Sequence, residues 1–330
     1  MKLDLLYVRP GGSGWGPVTE LVQLTARLFD ARIIEVDDVG EVSPLRKAAS
    51  FLPRLARPTG RHLLVIASNP AVVAYMTHPR LWFPGYETTA VWIIDSFWTD
   101  RTPSIMRGRP HIDHLFITDP GLEGEWHAQT NLPVDVLAWG ADTSKFALSW
   151  EPRPTDLLRL GRQPDAWDDD EVTRTGAARH GLRFEGRPSM SHDPLVNQQN
   201  VREALLRSKM VLAFSNLVSP ASYTHPTREY LTGRWMDALG AGCLVAGAAP
   251  AAARETLWNG STLEISPVRR SEAWPVLVQA ADSWNALDAV TRQLQARDRL
   301  DWRLRLLDAC VMMGWPPPTL LTEQLDQTAI

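Results

Sequence analysis

The chain has few cysteines, no long hydrophobic run and no excess of basic residues. Its two cysteines, Cys243 and Cys310, cannot build a disulfide framework, and such usage is typical of a reducing compartment. No window approaches the roughly 20 apolar residues of a membrane span, and the first apolar run is too short for a signal peptide. We therefore expect a cytoplasmic protein. The 34 basic and 38 acidic residues give a net charge of −4, which argues against a nucleic-acid partner.

Apolar residues are plentiful, at 44% of 330 residues, so the chain can fill two cores of ordinary size. Short apolar runs alternate with helix-length segments along both halves. The candidate strands are Leu3–Val8, Arg32–Val36, His62–Ala67, Ala90–Asp95, His114–Thr118, Val134–Leu137, Asp156–Leu160, Leu182–Glu185, Met210–Ser215 and Cys243–Ala246. Strands this apolar indicate parallel sheets that are covered by helices on both faces.

A proline-containing polar segment, Ser149–Thr155, separates the two halves of this pattern. We place the hinge there and predict an α/β protein with two doubly wound, Rossmann-like domains, 1–150 and 151–330. Two such domains in succession place a ligand cleft between them, at the carboxyl ends of the strands. The stretch Leu277–Met313 is predicted to be largely helical, and the last helices could pack back on the first domain.

A glycine-rich turn, GGSGWG (residues 11–16), follows the first strand and precedes a helix. Glycines let the backbone approach a ligand, and a helix N-terminus offers N–H groups to anions. The residues that could touch a ligand here are Gly12, Ser13, Gly14 and Trp15. The spacing departs from the dinucleotide fingerprint G-x-G-x-x-G, but an NAD-dependent dehydrogenase with Glu35 on the ribose stays open, as does a turn without a ligand.

The segment Pro220–Gly242 contains two acidic residues with an arginine between them. Glu229 and Asp237 are eight residues apart, so a continuous helix over Arg228–Leu239 would place them near one face, with Arg234 between them in sequence. A carboxylate suits a ribose diol, and an arginine suits a diphosphate. The alternative is a helix with an ordinary solvated face.

The sequence RWMDALGAG (234–242) and the following CLVAG resemble the donor-site helix of group-1 (family 4-like) glycosyltransferases with the GT-B fold. That family carries Glu-x7-Glu ahead of an Ala-x-Ala/Gly-x-Gly turn. The glycine turn, Leu132–Phe146 and Leu157–Gln163 resemble further family segments in the same order. The resemblance spans about residues 1–265. It implies a GT-B enzyme whose first domain binds the acceptor and whose second domain binds a nucleotide-sugar donor.

Carried over, the resemblance assigns Asp237 to the donor ribose, Glu229 to the donor sugar or its phosphate, and Gly161, Arg162 and Arg234 to the diphosphate. Two departures leave the donor nucleotide open. The lysine that the family usually carries soon after Gly-Arg is replaced by Gln-Pro-Asp, and the second acid is Asp instead of Glu. The reaction implied is transfer of a sugar to an acceptor such as a glycan, a lipid-linked sugar or a natural product.

Asp95 is the candidate catalytic base, with Glu229 as the other candidate catalytic residue. Asp95 ends a first-domain strand and so faces the predicted cleft, where it could take the acceptor proton in an inverting mechanism. In a retaining enzyme it would instead bind the acceptor, and in a structural role it would pair with Arg101 or the backbone. His225, just before Glu229, lines the donor pocket or is structural.

We expect no metal and no cofactor, with the nucleotide sugar as co-substrate. The triplet Asp168–Asp170 resembles a metal-binding D-x-D motif, but it precedes a helical pattern and fits the acidic first turn of a helix. The segment 45–61 mixes basic and apolar residues, which suits either docking at the inner membrane face or a solvated surface. A nucleotide-sugar epimerase on the same fold and a non-catalytic binding module remain rival functions.

Overall fold

The computed structural model describes residues 1–37, 43–49, 58–77, 85–107, 111–253 and 255–328. Contacts between residues divide this part of the chain into two compact units. The first unit consists of Met1–Ala138 together with Arg305–Thr328, and the second consists of Trp139–Leu304. The chain therefore leaves the first unit once and returns to it near the C-terminus.

The boundary after Ala138 lies earlier than Ser149–Thr155, where the sequence predicts it. The chain is already anchored in the second unit at Gly140. A Cβ there would lie 2.5 Å from the carbonyl oxygen of Leu300 and 2.8 Å from the Trp302 ring, so only glycine permits this approach. Such a tertiary contact leaves no compositional signal, whereas the prolines mark a segment that lies within the second unit.

The first unit contains a parallel sheet that has six strands among the described residues. The strands are β1 (Lys2–Arg9), β2 (Arg32–Asp37), β3 (Arg61–Ala67), β4 (Thr88–Ile93), β5 (His114–Ile117) and β6 (Val134–Val136). Their order in the sheet is β2-β1-β3-β4-β5-β6, and all neighbours are parallel. All six coincide with predicted strands, and the central ones are buried almost throughout, as expected for a sheet covered on both faces.

In the described ranges, three helices follow strands of this sheet: α1 (Gly16–Phe29), α2 (Pro44–Ala49) and α3 (Glu123–Thr130). α1 has Pro17 in its first turn, where the missing N–H costs no hydrogen bond, and it ends at Asp30, whose φ of 48° is left-handed. Its buried face repeats at helical spacing through Val18, Leu21, Leu24 and Leu28. The prediction of a helix directly after the glycine-rich turn is confirmed.

The second unit contains a parallel sheet with five strands in the described chain. These are β7 (Thr155–Arg159), β8 (Phe184–Glu185), β9 (Ser208–Phe214), β10 (Leu244–Ala248) and β11 (Thr262–Glu264), in the order β11-β10-β9-β7-β8. The sequence predicts the first four. β11 was missed because three residues are too few to show a periodic pattern.

The remaining helices are α4 (Asp170–Arg179), α5 (Pro194–Leu206), α6 (Gly233–Gly240), α7 (Arg270–Asp282), α8 (Ala286–Leu300), α9 (Trp302–Met313) and α10 (Thr319–Thr328). α9 begins in the second unit and ends in the first, and α10 belongs to the first unit and packs against α1. None of the helices in the described ranges is both long enough and apolar enough to cross a bilayer.

The helix predicted over Arg228–Leu239 is wrong at its start. α6 begins at Gly233, after Thr232 in an extended conformation (φ −136°, ψ 162°). Glu229 therefore lies in a loop and does not share a helix with Asp237. The sequence did not indicate this later start, because the four residues before Gly233 include no proline or glycine that would break a helix.

Candidate functional site

The polar residues singled out in the second half of the sequence gather at the carboxyl edge of the second sheet. Loops that follow β7, β9 and β10 meet there with the first turn of α6. In open parallel sheets this is the edge where ligands bind, because loops from neighbouring strands converge on it.

The turn after β7 is shaped by two guanidinium groups. Arg159 Nε donates to the carbonyl of Gly161 at 3.4 Å, and Arg234 Nη1 donates to the carbonyl of Arg162 at 3.1 Å. Because a trans peptide is planar, the N–H groups that follow these carbonyls point to the opposite side. Backbone N–H groups around a left-handed glycine such as Gly161 can form a concavity that suits an anion.

Glycine is required at position 161 for two reasons. Its φ of +72° lies in the left-handed region, which a side chain strains. A Cβ would also stand 3.0 Å from Nη1 of Arg234, closer than an ordinary contact. The structure thus brings Gly161, Arg162 and Arg234 together, while their predicted contact with a diphosphate stays a prediction.

Arg234 is a cation held at this edge without an acidic partner among the described residues. Nη2 donates to the carbonyl of Phe214 at 2.7 Å, while the buried Nε has no hydrogen-bond partner in the described chain. Burial, together with the positive charge of Arg162, lowers the pKa of Arg234 to about 10. The fold thus keeps two like charges close together, an arrangement that a dianion would relieve.

Arg162 is fixed by the loop after β9. Its Nε donates to both the carbonyl and the hydroxyl of Ser219, the latter at 3.2 Å, and its guanidinium lies 5.2 Å from the centre of the Tyr223 ring. No carboxylate of the described ranges forms an ion pair with Arg162 or Arg234. Two neighbouring cations that have no carboxylate partner in the described part of the chain are suited to a polyanionic group.

Glu229 connects two strand-end loops instead of extending α6. Its carboxylate accepts hydrogen bonds from the Ser215 hydroxyl, just after β9, and from the N–H of Ala251, just after β10, at 2.8 Å. The half-buried carboxylate therefore holds together the edge on which the two arginines lie.

Asp237 is buried in α6, with 3% of its surface exposed. Its Oδ2 accepts a hydrogen bond of 2.7 Å from Nε2 of Gln198, a buried residue of α5. The acid predicted for the ribose is thus backed by an amide from a neighbouring helix, and sequence spacing gave no indication of this partner.

His225 is engaged in the loop before α6. Its Nδ1 accepts from the N–H groups of Thr227 and Arg228, at 3.3 and 3.1 Å, so this nitrogen carries no proton. Asn216 holds the same loop, because its amide donates to the carbonyls of His225 and Arg228. The predicted pocket residue therefore braces the loop that carries Glu229.

The acidic triplet after the Gly161 turn has other roles than those of a metal site. Asp168 and Asp170 pair with the buried Arg159 at 2.5 and 2.6 Å, and Asp169 caps α4 by accepting from two of its N–H groups. Gln163, which follows the Gly161-Arg162 pair, is buried and donates to the carbonyls of Leu160 and Leu212. Neither feature adds a charge to the edge where the arginines lie.

In the first unit, the glycine-rich turn is exposed and its glycines have space around them. Gly12 has a φ of +96°, and a Cβ on Gly12 or Gly14 would meet no atom within 4 Å. Ser13 begins a short 3-10 turn that ends at half-buried Trp15, whose carbonyl accepts from the Thr19 hydroxyl at 3.1 Å. This open turn at the carboxyl end of β1 is accessible to a ligand.

Glu35, the acid proposed for an NAD ribose, lies in an exposed ion pair. Glu35 pairs with Arg9 at 2.5 Å across the neighbouring strands β1 and β2. Both side chains are exposed, so this surface ion pair does not decide for or against the dehydrogenase alternative.

Asp95 follows β4 at the carboxyl edge of the first sheet. Its N–H donates to the carbonyl of Ser68, after β3, at 2.9 Å, which fixes the backbone at this position. Burial raises the pKa of Asp95 to about 7, and the positive charge of Arg101 only partly opposes this. Arg101 itself lies over the Trp98 ring, 3.3 Å from its centre. Asp95 therefore changes its protonation state near neutral pH, as a general base should.

The middle of the basic segment 45–61, residues 50–57, lies outside the described residues, so the structure does not test the predicted membrane contact. The polar loop FSNLVSPASY (214–223) contributes Ser215, Asn216, Ser219 and Tyr223 to the site, and the sequence reading overlooked all four. A signal was available, because polar residues directly after a buried strand such as β9 fall at the carboxyl edge of the sheet.

No family model and no curated protein matches the chain. Solved structures do. HepE from Anabaena, crystallised with UDP and glucose and also with UDP-glucose, is 11% identical with a TM-score of 0.56, over 95% of this chain and 100% of that one. Trehalose-6-phosphate synthase OtsA is 10% identical with a TM-score of 0.57, over 95% and 98%. A glycosyltransferase from Rickettsia africae is 12% identical with a TM-score of 0.53, over 94% and 97%.

These similarities extend over nearly the whole of each chain, although few residues are identical. Together with two successive units built on parallel sheets, they show that the protein has the GT-B fold. The fold predicted from the sequence is thereby confirmed.

Proposed function

We propose that this protein is a glycosyltransferase that moves a sugar from a nucleotide-diphosphate donor, with UDP as the nucleotide, to an acceptor hydroxyl. The observation that carries the proposal is the pair Arg162 and Arg234, two adjacent cations without carboxylate partners in the described chain, on the edge where a GT-B protein can hold its donor. HepE, a structure of the same fold, was crystallised with UDP and UDP-glucose, which supports the choice of nucleotide.

The chemistry of transfer explains why two arginines suit this site. When the bond between the anomeric carbon and the diphosphate breaks, the bonding electrons leave with the nucleoside diphosphate, and its negative charge grows. Guanidinium groups already held in place stabilise that charge without reorganising. In this proposal Arg162, Arg234 and the N–H groups of the Gly161 turn take the part that a metal ion plays elsewhere, so transfer proceeds without a metal.

The other predicted residues take supporting parts in the proposal. Asp237 accepts hydrogen bonds from the ribose hydroxyls, with Gln198 fixing its orientation. Glu229 faces the donor sugar or its phosphate from the loop that it anchors on Ser215 and Ala251. His225 shapes the donor pocket through its hold on that loop.

Asp95 is the proposed base of an inverting reaction. Its carboxylate takes the proton of the acceptor hydroxyl while the oxygen bonds to the anomeric carbon and the nucleoside diphosphate departs. A pKa of about 7 allows it to hold that proton at neutral pH and to release it afterwards. The open turn formed by Gly12, Ser13, Gly14 and Trp15 is proposed to contact the acceptor, a glycan, lipid-linked sugar or natural product.

The donor site is tested by calorimetric titration of UDP into the wild-type chain and into Arg162→Gln and Arg234→Gln variants. Because charge-assisted hydrogen bonds are lost, we expect each variant to bind UDP about tenfold more weakly, or worse. Arg179→Gln is the matched control, since Arg179 lies on α4 outside the site and forms no ion pair within the described ranges.

Equal UDP affinity in all four proteins would contradict the donor site. Product analysis with UDP-glucose then separates the rival enzymes. A transferase forms UDP and a glycosylated acceptor, or glucose with water as the acceptor, and remains active in EDTA. An epimerase instead returns an intact, altered UDP-sugar.

A further inference from the structure

Tyr223 is an exposed aromatic residue beside the proposed diphosphate site. Its side chain is 71% exposed, yet the guanidinium of Arg162 lies over its ring, 5.2 Å from the centre. Exposed aromatic residues are ordinary when they stand alone. This one has a specific neighbour, which is one of the two cations that the proposed function assigns to the donor.

The turn that carries Tyr223 is braced from within. The N–H and hydroxyl of Thr224 both donate to the carbonyl of Ala221, at 3.0 and 2.9 Å, and the N–H of Ala221 donates to the Thr224 hydroxyl at 3.0 Å. Thr224 is buried, so Tyr223 stands at the tip of a turn whose base is anchored. Its backbone is therefore ordered before any ligand arrives.

The turn and the arginine are also fixed to each other. Ser219, which is 1% exposed, accepts hydrogen bonds from Nε of Arg162 with both its carbonyl and its hydroxyl. Nε of the guanidinium is thus tied to the loop that leads into Tyr223, while the guanidinium carbon lies 5.2 Å from the centre of the tyrosine ring. A ligand phosphate at Arg162 would therefore lie next to the ring.

We propose that Tyr223 is the stacking platform for the nucleobase of the donor. This inference rests on the proposed function, because it takes the group between Arg162 and Arg234 to be a diphosphate. Of the two groups that a donor diphosphate carries, the nucleobase is the planar one, and its faces can stack on an exposed ring. Stacking on an aromatic side chain is a recurrent way of binding a base, and every base has a suitable face.

The test compares a ligand that has a base with one that lacks it. UDP, UDP-glucose and inorganic pyrophosphate are titrated into the wild-type full chain and into Tyr223→Ala and Tyr223→Phe variants. We expect Tyr223→Ala to bind UDP about tenfold more weakly, with pyrophosphate affinity unchanged and Tyr223→Phe close to wild type, because phenylalanine keeps the ring. Trp150→Ala is the matched control, since Trp150 is another exposed aromatic residue of the second unit.

Any other pattern of affinities would contradict the stacking of the nucleobase on Tyr223, and each pattern indicates a different role for the ring. Equal weakening of UDP and pyrophosphate would mean that the ring only positions Arg162. Unchanged UDP affinity with weakened UDP-glucose would place the sugar on the ring, and unchanged affinity for all three ligands would leave Tyr223 without a role. Thermal unfolding of each variant, expected to match wild type because Tyr223 is exposed, shows that the fold is retained.

Failure of the proposed function itself gives a different result, because it is seen in the wild-type chain. Binding of pyrophosphate without UDP would remove the nucleobase platform and leave an anion site. Binding of neither ligand would remove both proposals together.

Discussion

At the scale of single residues, the protonation of Asp95 links stability to pH. Burial raises its pKa from 3.8 to about 7, so between these values the folded chain holds a proton that the unfolded chain has lost. The free energy of unfolding therefore falls as pH rises from about 4 to 7. From pH 5 to pH 8 we expect the free energy of unfolding of wild type to fall by roughly 2–3 kcal/mol relative to that of Asp95→Asn. Urea unfolding at both pH values measures this difference.

Asp100→Asn is the control for this pH experiment, because Asp100 lies in the same segment and is exposed. A difference in unfolding free energy between wild type and Asp95→Asn that stays constant from pH 5 to pH 8 would rule out the raised pKa.

The Asp95→Asn variant also tests catalysis. If Asp95 is the base, transfer by wild type rises with pH through about 7, and Asp95→Asn loses transfer while it still binds UDP.

At the scale of elements, the turn after β7 is predicted to be sensitive to any side chain at position 161. Gly161→Ala strains a φ of +72° and brings a methyl group to 3.0 Å from Arg234 Nη1. We expect a stability loss of about 1–2 kcal/mol from the backbone and, because Arg234 must move, a clear loss of UDP affinity. Thermal unfolding and calorimetric titration measure the two effects separately.

Gly181→Ala is the matched control for this turn. Gly181 has a similar φ of +77° in the same unit, but a Cβ there would meet no atom within 4 Å. It should therefore lose similar stability and keep its affinity for UDP. If both variants bind UDP as well as wild type does, the Gly161 turn takes no part in holding the nucleotide.

Elements with a repeating pattern could be predicted, and the contacts between them could not. Apolar runs such as Leu3–Val8 gave the strands, and the glycine turn gave the start of α1. The start of α6 was missed because Glu229 is held by Ser215 and Ala251, contacts that sequence spacing does not encode. The partner of Asp237 was missed for the same reason, since Gln198 lies on a different helix.

At the scale of the whole molecule, the first unit depends on the end of the chain. Trp315 donates from its indole N–H to the Thr88 hydroxyl at 3.0 Å, and Leu321 of α10 is fully buried. We expect a chain that ends at Gly314 to unfold its first unit at a lower temperature, because α1 loses the helix packed against it. Scanning calorimetry of the shortened and full chains checks this.

UDP binding provides the internal control for that shortened chain. The proposed donor residues all lie within Trp139–Leu304, so the shortened chain should bind UDP with unchanged affinity. If the shortened chain also loses affinity for UDP, then UDP binding depends on residues after Gly314 as well.

The return of the chain to its first unit also sets an order for biosynthesis. A ribosome makes the six strands of the first sheet early, but Trp315 and α10 emerge only after the whole of Trp139–Leu304 has been translated. Domains generally fold as units while the chain is being made. The unit that begins first is therefore completed last, and it must wait, with part of its apolar surface uncovered, while the second unit is translated.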